Sequence, residues 1–180
     1  MICHKNKFIF VHVPKAAGSS VLRCLGLKPV QHQKASSEMR LNADYFSFGF
    51  VRNPWDRLVS AFFYLKKGGT SVGDKKKQIG LLKYNSFEDF VLNAKEEFSW
   101  LHFKNQSSWI DARIDFIGRF ENLQNDFDNV CGKINISKKE LPVTNSSNHK
   151  NYTEYYSNKM KEIIAKEYKE DIIKFNYSFK

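Results

Sequence analysis

The sequence lacks any uninterrupted apolar run of about 18 residues, the length that a helix needs to cross a membrane, so we expect no membrane span. Its first residues contain no apolar segment of the kind found in signal peptides and lead straight into a predicted strand, so we expect no secretory leader. Cysteine is scarce, and its wide, irregular spacing fits neither a disulfide framework nor a metal site. The three thiols, Cys3, Cys24 and Cys131, are therefore expected to be free in a reducing compartment, by default the cytoplasm.

Acidic residues are few relative to basic ones, 19 against 29, which gives a formal net charge of +10. A basic surface attracts polyanions such as nucleic acid, acidic glycans, anionic lipid and phosphorylated cofactors. The same charge would also serve only to keep a lysine-rich protein in solution, so charge alone selects no function. The length of 180 residues and the 16 phenylalanines predict a single domain over residues 1–180 with an aromatic-rich core.

Apolar stretches typical of buried strands alternate along the chain with segments of helical pattern. Strands are predicted at 8–13, 45–51 and 114–120. Helices are predicted at 19–27, 36–41, 53–64, 86–92, 121–130 and 158–175. This alternation is typical of an α/β fold with a mainly parallel sheet. The segment 66–85, rich in glycine and lysine, is predicted to be a mobile loop.

A loop of small residues follows the first predicted strand. Pro14 ends the strand, Lys15 adds a cation, Gly18 adds flexibility, and Ser19 and Ser20 begin an apolar helical run. A strand, a tight loop and a helix N-terminus together offer backbone N–H groups and a positive dipole end to an anion. The alternative is an ordinary turn between a strand and a helix.

A second cation, Arg52, follows the second predicted strand. Asn53 suits a helix N-cap and Pro54 suits the first helical position. Because ligands of parallel sheets bind at the carboxyl ends of the strands, we expect Lys15 and Arg52 to serve a ligand with two separated anionic groups. Ser60 could add a hydroxyl group. Other interpretations remain open, since Arg52 could pair with the nearby Asp56 and Ser60 could only pack.

The loop differs from that of P-loop nucleotide hydrolases, in which the lysine follows the glycines. Here Lys15 precedes Gly18, and no predicted strand ends in an acidic residue suited to magnesium, since Asp115 lies near the start of its strand. The site is therefore expected to bind phosphates without the metal apparatus of a kinase. A P-loop-like nucleotide kinase and a non-enzymatic, basic polyanion-binding domain remain as alternative hypotheses.

Two signatures of the sulfotransferases that use 3′-phosphoadenosine 5′-phosphosulfate (PAPS) resemble stretches of this chain, His12-Val-Pro-Lys-Ala-Ala-Gly-Ser-Ser20 and Phe50-Val-Arg-Asn-Pro-Trp-Asp-Arg-Leu-Val-Ser-Ala-Phe62. The likeness is closest to the carbohydrate sulfotransferase branch. Stretches beginning at Ile117 and Tyr168 are also similar to that branch, so the resemblance covers nearly the whole chain. The first signature departs mildly, because Ala16 lacks the hydroxyl often found there and Ala17 replaces a frequent glycine.

The resemblance implies a P-loop-like, three-layer α/β/α fold and transfer of a sulfuryl group from PAPS to an acceptor hydroxyl or, as a second choice, an amine. Adenosine 3′,5′-bisphosphate (PAP) is then the product, and no metal is required. The implied 5′-phosphosulfate loop comprises Pro14, Lys15, Ala16, Ala17, Gly18, Ser19 and Ser20. Arg52 and Ser60 would hold the 3′-phosphate, while Lys15 would stabilise charge on the leaving oxygen.

The acceptor hydroxyl needs a general base, which in this family is usually His or Glu and tends to lie between the two signatures. His32 is the only histidine there and ranks first, with Glu38 as a carboxylate substitute. His102 is the rival, because some glycan-acting relatives carry a histidine in the corresponding later segment. The implied partners are the donor nucleotide and a glycan or other hydroxylated acceptor, with no nucleic acid. The lysines and aromatic residues of 66–85 and 102–109 would suit an anionic sugar.

Overall fold

A computed structural model of the protein describes residues 1–28, 31–142 and 149–180. The described residues form four strands, β1 Ile2–Cys3, β2 Phe8–Val11, β3 Phe46–Val51 and β4 Phe116–Arg119. They also form eight α-helices, α1 Gly18–Leu25, α2 Ala35–Met39, α3 Pro54–Lys66, α4 Val72–Leu81, α5 Phe87–Asn93, α6 Leu123–Lys133, α7 Asn158–Glu167 and α8 Lys169–Phe175. Short 3₁₀ helices occur at Glu96–Ser99, Gln106–Ser108, Phe120–Asn122 and Tyr152–Tyr155.

The strands form one sheet in the order β1-β2-β3-β4, in which β2, β3 and β4 are parallel and β1 is antiparallel to β2. Every residue of β2 and nearly every residue of β3 is buried, as expected for parallel strands that are covered on both faces. The predicted α/β class with a mainly parallel sheet is confirmed. Because β2 and β3 are neighbours, their carboxyl ends, which precede Lys15 and Arg52, lie at the same edge of the sheet.

The chain divides into two compact units, Met1–Arg52 with Asn105–Ser146 and Asn53–Lys104 with Ser147–Lys180. The first unit contains the sheet with α1, α2 and α6, and the second contains α3, α4, α5, α7 and α8. The second unit has an aromatic-rich core, as the composition predicts. Within it the ring centroid of Phe90 lies 5.1 Å from that of Phe62 and 5.1 Å from that of Phe103.

Helix α4, Val72–Leu81, corrects the prediction of a mobile loop at 66–85. Its N-terminus is a capping box, in which the Ser71 hydroxyl accepts from the Asp74 N–H at 3.0 Å and the Asp74 carboxylate accepts from the Ser71 N–H at 3.1 Å. A serine followed by an acidic residue three positions later is the sequence signal for this cap, and the prediction from the glycines and lysines did not use it. At the C-terminus of α4, the Lys66 ammonium donates to the Leu81 carbonyl at 3.0 Å.

The predicted closing helix at 158–175 is divided into α7 and α8 by Tyr168. The Tyr168 side chain is buried, and its hydroxyl donates to the Phe103 carbonyl at 2.6 Å. The other predicted helices are confirmed to within a few residues at each end, whereas β1 was not predicted. Over the described residues, none of the helices has the length and apolar character needed to cross a membrane.

Candidate active site

The loop between β2 and α1 has an alternating backbone conformation. Lys15 and Ala17 lie in the left-handed region, with φ of 66° and 64°, and Ala16 between them does not. Such alternation is the geometry of a nest, in which successive backbone N–H groups point into one anion-binding concavity. The loop predicted from its small residues is therefore shaped by its backbone in the way that an anion site requires.

Helix α1 begins directly after this loop, at Gly18. Its N-cap, Ala17, makes no side-chain capping bond, and its first turn contains no acidic residue. The first N–H groups of a helix have no intrahelical acceptor, so this end presents both hydrogen-bond donors and the positive end of the dipole. An anion bound here would meet neither a competing cap nor a repelling carboxylate from that turn.

Gly18 has a different role from the flexibility predicted for it. Its φ is not positive, but a Cβ atom at this position would overlap the imidazole ring of His12. Glycine is therefore needed here because the His12 ring lies directly against the start of α1. Packing, and not backbone freedom, explains this part of the loop.

Arg52 lies at the end of β3 and is held at both its backbone and its side chain. Its N–H donates to Gln106 Oε1 at 2.9 Å, and Gln106 Nε2 donates back to its carbonyl at 2.8 Å. The guanidinium Nη1 donates to the Lys15 carbonyl at 3.4 Å, and Cζ lies 3.9 Å from the centroid of the Phe120 ring. The structure thus brings Lys15 and Arg52 together, and adds Gln106 and Phe120, neither of which was predicted as a site residue.

His32 lies against His12, just before the loop between β2 and α1, in the same unit. Its Nδ1 is 2.7 Å from the backbone carbonyl of His12, and the two imidazole centroids are 4.2 Å apart. Because a carbonyl only accepts hydrogen bonds, Nδ1 of neutral His32 carries the proton and Nε2 is the basic nitrogen. A histidine in this tautomer is suited to accept a proton through Nε2.

The His12 imidazole is enclosed and stays neutral. Burial, with a further contribution from the neighbouring His32, lowers the pKa of His12 from 6.5 to about 3. Its Nδ1 is buried and has no hydrogen-bond partner among the described residues. A neutral His12 packs against Gly18 without adding a charge beside the loop.

Contacts with residues 109–111 anchor the segment that follows His32. The Ser36 hydroxyl donates to Asp111 at 2.7 Å, the Ser36 N–H donates to the same carboxylate at 2.9 Å, and the Ala35 N–H donates to the Trp109 carbonyl at 2.8 Å. The Trp109 ring also lies 5.6 Å from the His32 ring. These contacts fix the start of α2 and limit the freedom of the preceding histidine.

Glu38, the carboxylate alternative, is also in this unit, on α2. Its Oε2 lies 3.1 Å from the amino group of Met1, and both side chains are largely buried. Burial lowers the pKa of that amino group, while Glu38 acts in the opposite direction. The carboxylate is therefore engaged in a buried ion pair.

His102 and Ser60 belong to the second unit. His102 Nε2 lies 3.6 Å from Asp74 Oδ1, and Asp74 also accepts from the Tyr64 hydroxyl at 2.9 Å. His102 therefore contacts the carboxylate that caps α4. Ser60 is buried on α3.

Arg57, the second arginine of the Arg52-to-Ser60 signature, is fully buried within the second unit. Its guanidinium donates to the carbonyls of His102 at 3.1 Å and Lys104 at 2.7 Å. Its cation also lies 5.4 Å from the centroid of the Tyr168 ring. This arginine therefore organises the backbone of residues 102–104, a role that its place in the motif did not indicate.

The described residues contain no group of three or more His, Cys, Asp or Glu side chains placed to hold a metal ion. What the first unit does contain is a nest-like loop, a helix N-terminus and an ordered arginine at adjacent ends of parallel strands. This arrangement is typical of an α/β protein that binds a phosphorylated ligand.

The comparison with known families identifies the class of enzyme. The sequence matches the sulfotransferase family over residues 1–178, and the chain belongs to that family. It is also similar to an uncharacterized protein of Archaeoglobus fulgidus, with 32% identity over 102 residues, which cover 55% of this chain and 74% of that protein. The protein is thus a sulfotransferase, with sulfuryl transfer from a nucleotide sulfate donor to an acceptor as its general activity.

Proposed function

We propose that the protein transfers a sulfuryl group from PAPS to a hydroxyl group of a glycan or other small hydroxylated acceptor, with an amine as the second choice. The observation that supports this proposal most is the contact between Arg52 and the Lys15 carbonyl, 3.4 Å apart. It joins the two loops that follow adjacent parallel strands, and each loop carries one cation. A donor with phosphate groups at both its 5′ and 3′ positions matches two such cations.

In the proposed reaction the acceptor oxygen attacks sulfur in line with the bond to the leaving phosphate. The new oxygen–sulfur bond forms as the sulfur–oxygen bond to PAP breaks, and the leaving oxygen gains negative charge. The Lys15 ammonium and the N–H groups at the start of α1 would stabilise that charge. Arg52, together with Ser60 as the resemblance implies, would hold the 3′-phosphate and select PAPS over ATP.

The proton of the acceptor hydroxyl is proposed to pass to Nε2 of His32. Three features support His32: its tautomer, its place against His12 just before the anion loop of the same unit, and its anchored segment. Glu38 and His102 are the less favoured bases, since Glu38 pairs with a buried amino group and His102 pairs with Asp74. In-line transfer and the identity of the base are both parts of the proposal.

Among hydroxylated acceptors a glycan is the first choice, and an anionic acceptor would suit the basic composition of the chain. Three free cysteines among the described residues agree with a reducing compartment, and we propose the cytoplasm as the site of action. A kinase is less favoured, because Lys15 precedes the single glycine of its loop. A polyanion-binding domain is less favoured because charge alone would not require two linked anion loops.

The test is calorimetric titration of the protein with PAP in the presence of a metal chelator, followed by a screen of hydroxylated acceptors with PAPS and detection by mass spectrometry. We expect PAP to bind without magnesium and at least one glycan acceptor to gain the mass of one sulfuryl group. Folded protein that binds no PAP, or that consumes ATP only with magnesium, would overturn the proposal. Binding of PAP without transfer to any sugar would overturn the acceptor class alone.

A further inference from the structure

We infer that Gln106 is a positioning residue that fixes Arg52 and thereby sets the preference of the donor site for a 3′-phosphate. The inference rests on the proposed function, since it assigns Arg52 to the 3′-phosphate of PAPS. Gln106 would not touch the nucleotide itself. Its effect would pass through the backbone of Arg52.

The contact between the two residues is bidentate. Gln106 accepts from the Arg52 N–H at 2.9 Å and donates to the Arg52 carbonyl at 2.8 Å, so one side-chain amide satisfies both backbone groups. The Gln106 side chain is fully buried. A buried amide with both ends paired has one favourable orientation, because turning it over would place like groups against each other.

This amide continues the hydrogen bonding of the sheet beyond its last paired residue. Val51 is the final residue of β3 and pairs with Arg119 at the end of β4, and Arg52 comes next. A residue just past a strand end ordinarily loses its ladder partners and gains freedom in φ and ψ. Gln106 supplies those partners, so Arg52 keeps an ordered backbone at the edge of the sheet where ligands bind.

The guanidinium is ordered as well. The Phe120 ring lies 3.9 Å from Cζ, and the Lys15 carbonyl accepts from Nη1 at 3.4 Å. The Arg52 guanidinium therefore has a fixed backbone, an aromatic ring beside it and one nitrogen already bound. It is preorganised for bidentate recognition of phosphate before the ligand binds. The loss of Gln106 would free the Arg52 backbone, and the guanidinium would then lose its fixed orientation.

The experiment compares the affinities of PAP and adenosine 5′-monophosphate, which differ by the 3′-phosphate, for the full chain. Gln106→Met removes both hydrogen bonds at nearly constant volume, and Gln106→Glu keeps the acceptor but removes the donor. Gln124 is the matched control. It is an exposed glutamine of the same unit whose amide also binds backbone at both ends, accepting from the Leu141 N–H at 2.9 Å and donating to the Lys139 carbonyl at 3.1 Å.

We expect both Gln106 substitutions to weaken PAP binding about tenfold or more and to leave 5′-monophosphate binding within about threefold, so that the ratio of affinities falls. Gln124→Met should leave the ratio unchanged. In an Arg52→Ala background, Gln106→Met should have no further effect on the ratio, because the residue through which it acts is gone. A general loss of structure would instead weaken the binding of both nucleotides together.

Two results would separate the inference from the proposed function. If wild-type protein binds PAP no better than 5′-monophosphate, the assignment of Arg52 to a 3′-phosphate is wrong and the proposed function fails with it. If wild-type protein prefers PAP and a folded Gln106 variant keeps that preference, the proposed function stands and the positioning role is wrong. Gln106→Glu provides a second variant should Gln106→Met not fold.

Discussion

The guanidinium of Arg52 donates to the backbone carbonyl of Lys15 across 3.4 Å, so the loop that follows β2 and the residue that follows β3 are linked directly. Lys15 has a left-handed backbone, with φ of 66°, which gives its carbonyl a direction different from that in a strand or helix. The side chain of Lys15 is therefore not consumed by this contact. The proposed function assigns that side chain to the reacting end of the donor, while the Lys15 backbone contacts Arg52.

The first prediction concerns Lys15 as the group that stabilises the leaving oxygen. Lys15→Met should lower kcat about 100- to 1000-fold, as expected when one transition-state donor is lost, and should weaken PAP binding much less. Lys7 is a matched control, because it is an exposed lysine of the same unit whose backbone is also left-handed, with φ of 47°. Single-turnover sulfuryl transfer and PAP titration would measure the two effects. Equal losses in binding and turnover would contradict the assignment.

The second prediction concerns the conformation of Ala17. Its φ of 64° is strained for any residue with a Cβ atom, so Ala17→Gly should raise the free energy of unfolding by up to about 1 kcal/mol or leave it unchanged. Ala16 is the matched control, since it is buried without a positive φ. Ala16→Gly should lower the free energy of unfolding by about 0.5–1 kcal/mol through backbone entropy. Denaturant unfolding would measure both, and a clear loss of stability in Ala17→Gly would show that the strain argument is wrong.

The third prediction concerns the packing of Gly18 against His12. Gly18→Ala should lower the free energy of unfolding by about 1–3 kcal/mol, because the added methyl group overlaps the imidazole ring. The same substitution should cost less in a His12→Ala background, in which the ring is absent. A double-mutant cycle by urea unfolding measures this coupling. Equal costs in both backgrounds would mean that the overlap is not the cause.

The fourth prediction concerns pH. Burial, followed by the neighbouring His32, lowers the pKa of His12 to about 3 in the folded protein, whereas an unfolded histidine titrates at 6.5. Between pH 3 and pH 6.5 the unfolded chain therefore binds more protons at His12 than the folded protein does. The contribution of His12 to stability is complete above pH 6.5 and is lost as the pH falls toward 3, by at most about 1.4 kcal/mol per pH unit.

Urea unfolding between pH 7 and 4, in steps of about one unit, would test this dependence. His12→Gln should flatten the decline in stability relative to wild-type protein, because the substituted side chain has no proton to bind. His4→Gln is the matched control, since His4 is exposed, and it should keep the wild-type slope. An unchanged slope in His12→Gln would show that another group carries the dependence.

Sequence patterns predicted the features of the fold that depend on short spacing. The buried runs of β2 and β3 and the Asn53-Pro54 start of α3 are local signals, and the structure agrees with them, since the Asn53 side chain accepts from the Trp55 N–H at 3.1 Å. The Ser71–Asp74 capping box is an equally local signal, but the prediction for 66–85 used only the surrounding glycines and lysines. A prediction from composition can therefore miss a helix cap that residue spacing indicates.

The parts of the site that were missed depend on contacts distant in sequence. Gln106 contacts Arg52 across 54 positions, and the ring of Phe120, which follows β4, lies against the same arginine. Gln106 lies in a segment, 102–109, that was linked only to the acceptor, and Phe120 lies in a stretch that was linked only to the family, so neither pattern predicted a contact with Arg52. The steric role of Gly18 likewise depends on a ring six positions earlier that only the folded turn brings against it.

The last prediction concerns the general base. If His32 accepts the acceptor proton through Nε2, His32→Gln should lower kcat about 100- to 10,000-fold while PAP binding stays near the wild-type value. The substitution should also remove the acidic limb of the pH–rate profile, because no titrating base remains.

His102→Gln is the comparison. It should mainly lower stability by weakening the contact with Asp74, whose carboxylate caps α4, and should keep the pH–rate profile of the wild-type enzyme. Glu38→Gln should likewise act on stability, since it leaves the buried amino group of Met1 without its ion pair. Rates measured from pH 5 to 9 on all three variants, beside their unfolding free energies, separate a proton acceptor from a structural contact. A His102→Gln enzyme that folds normally but loses the acidic limb would transfer the role of base from His32 to His102.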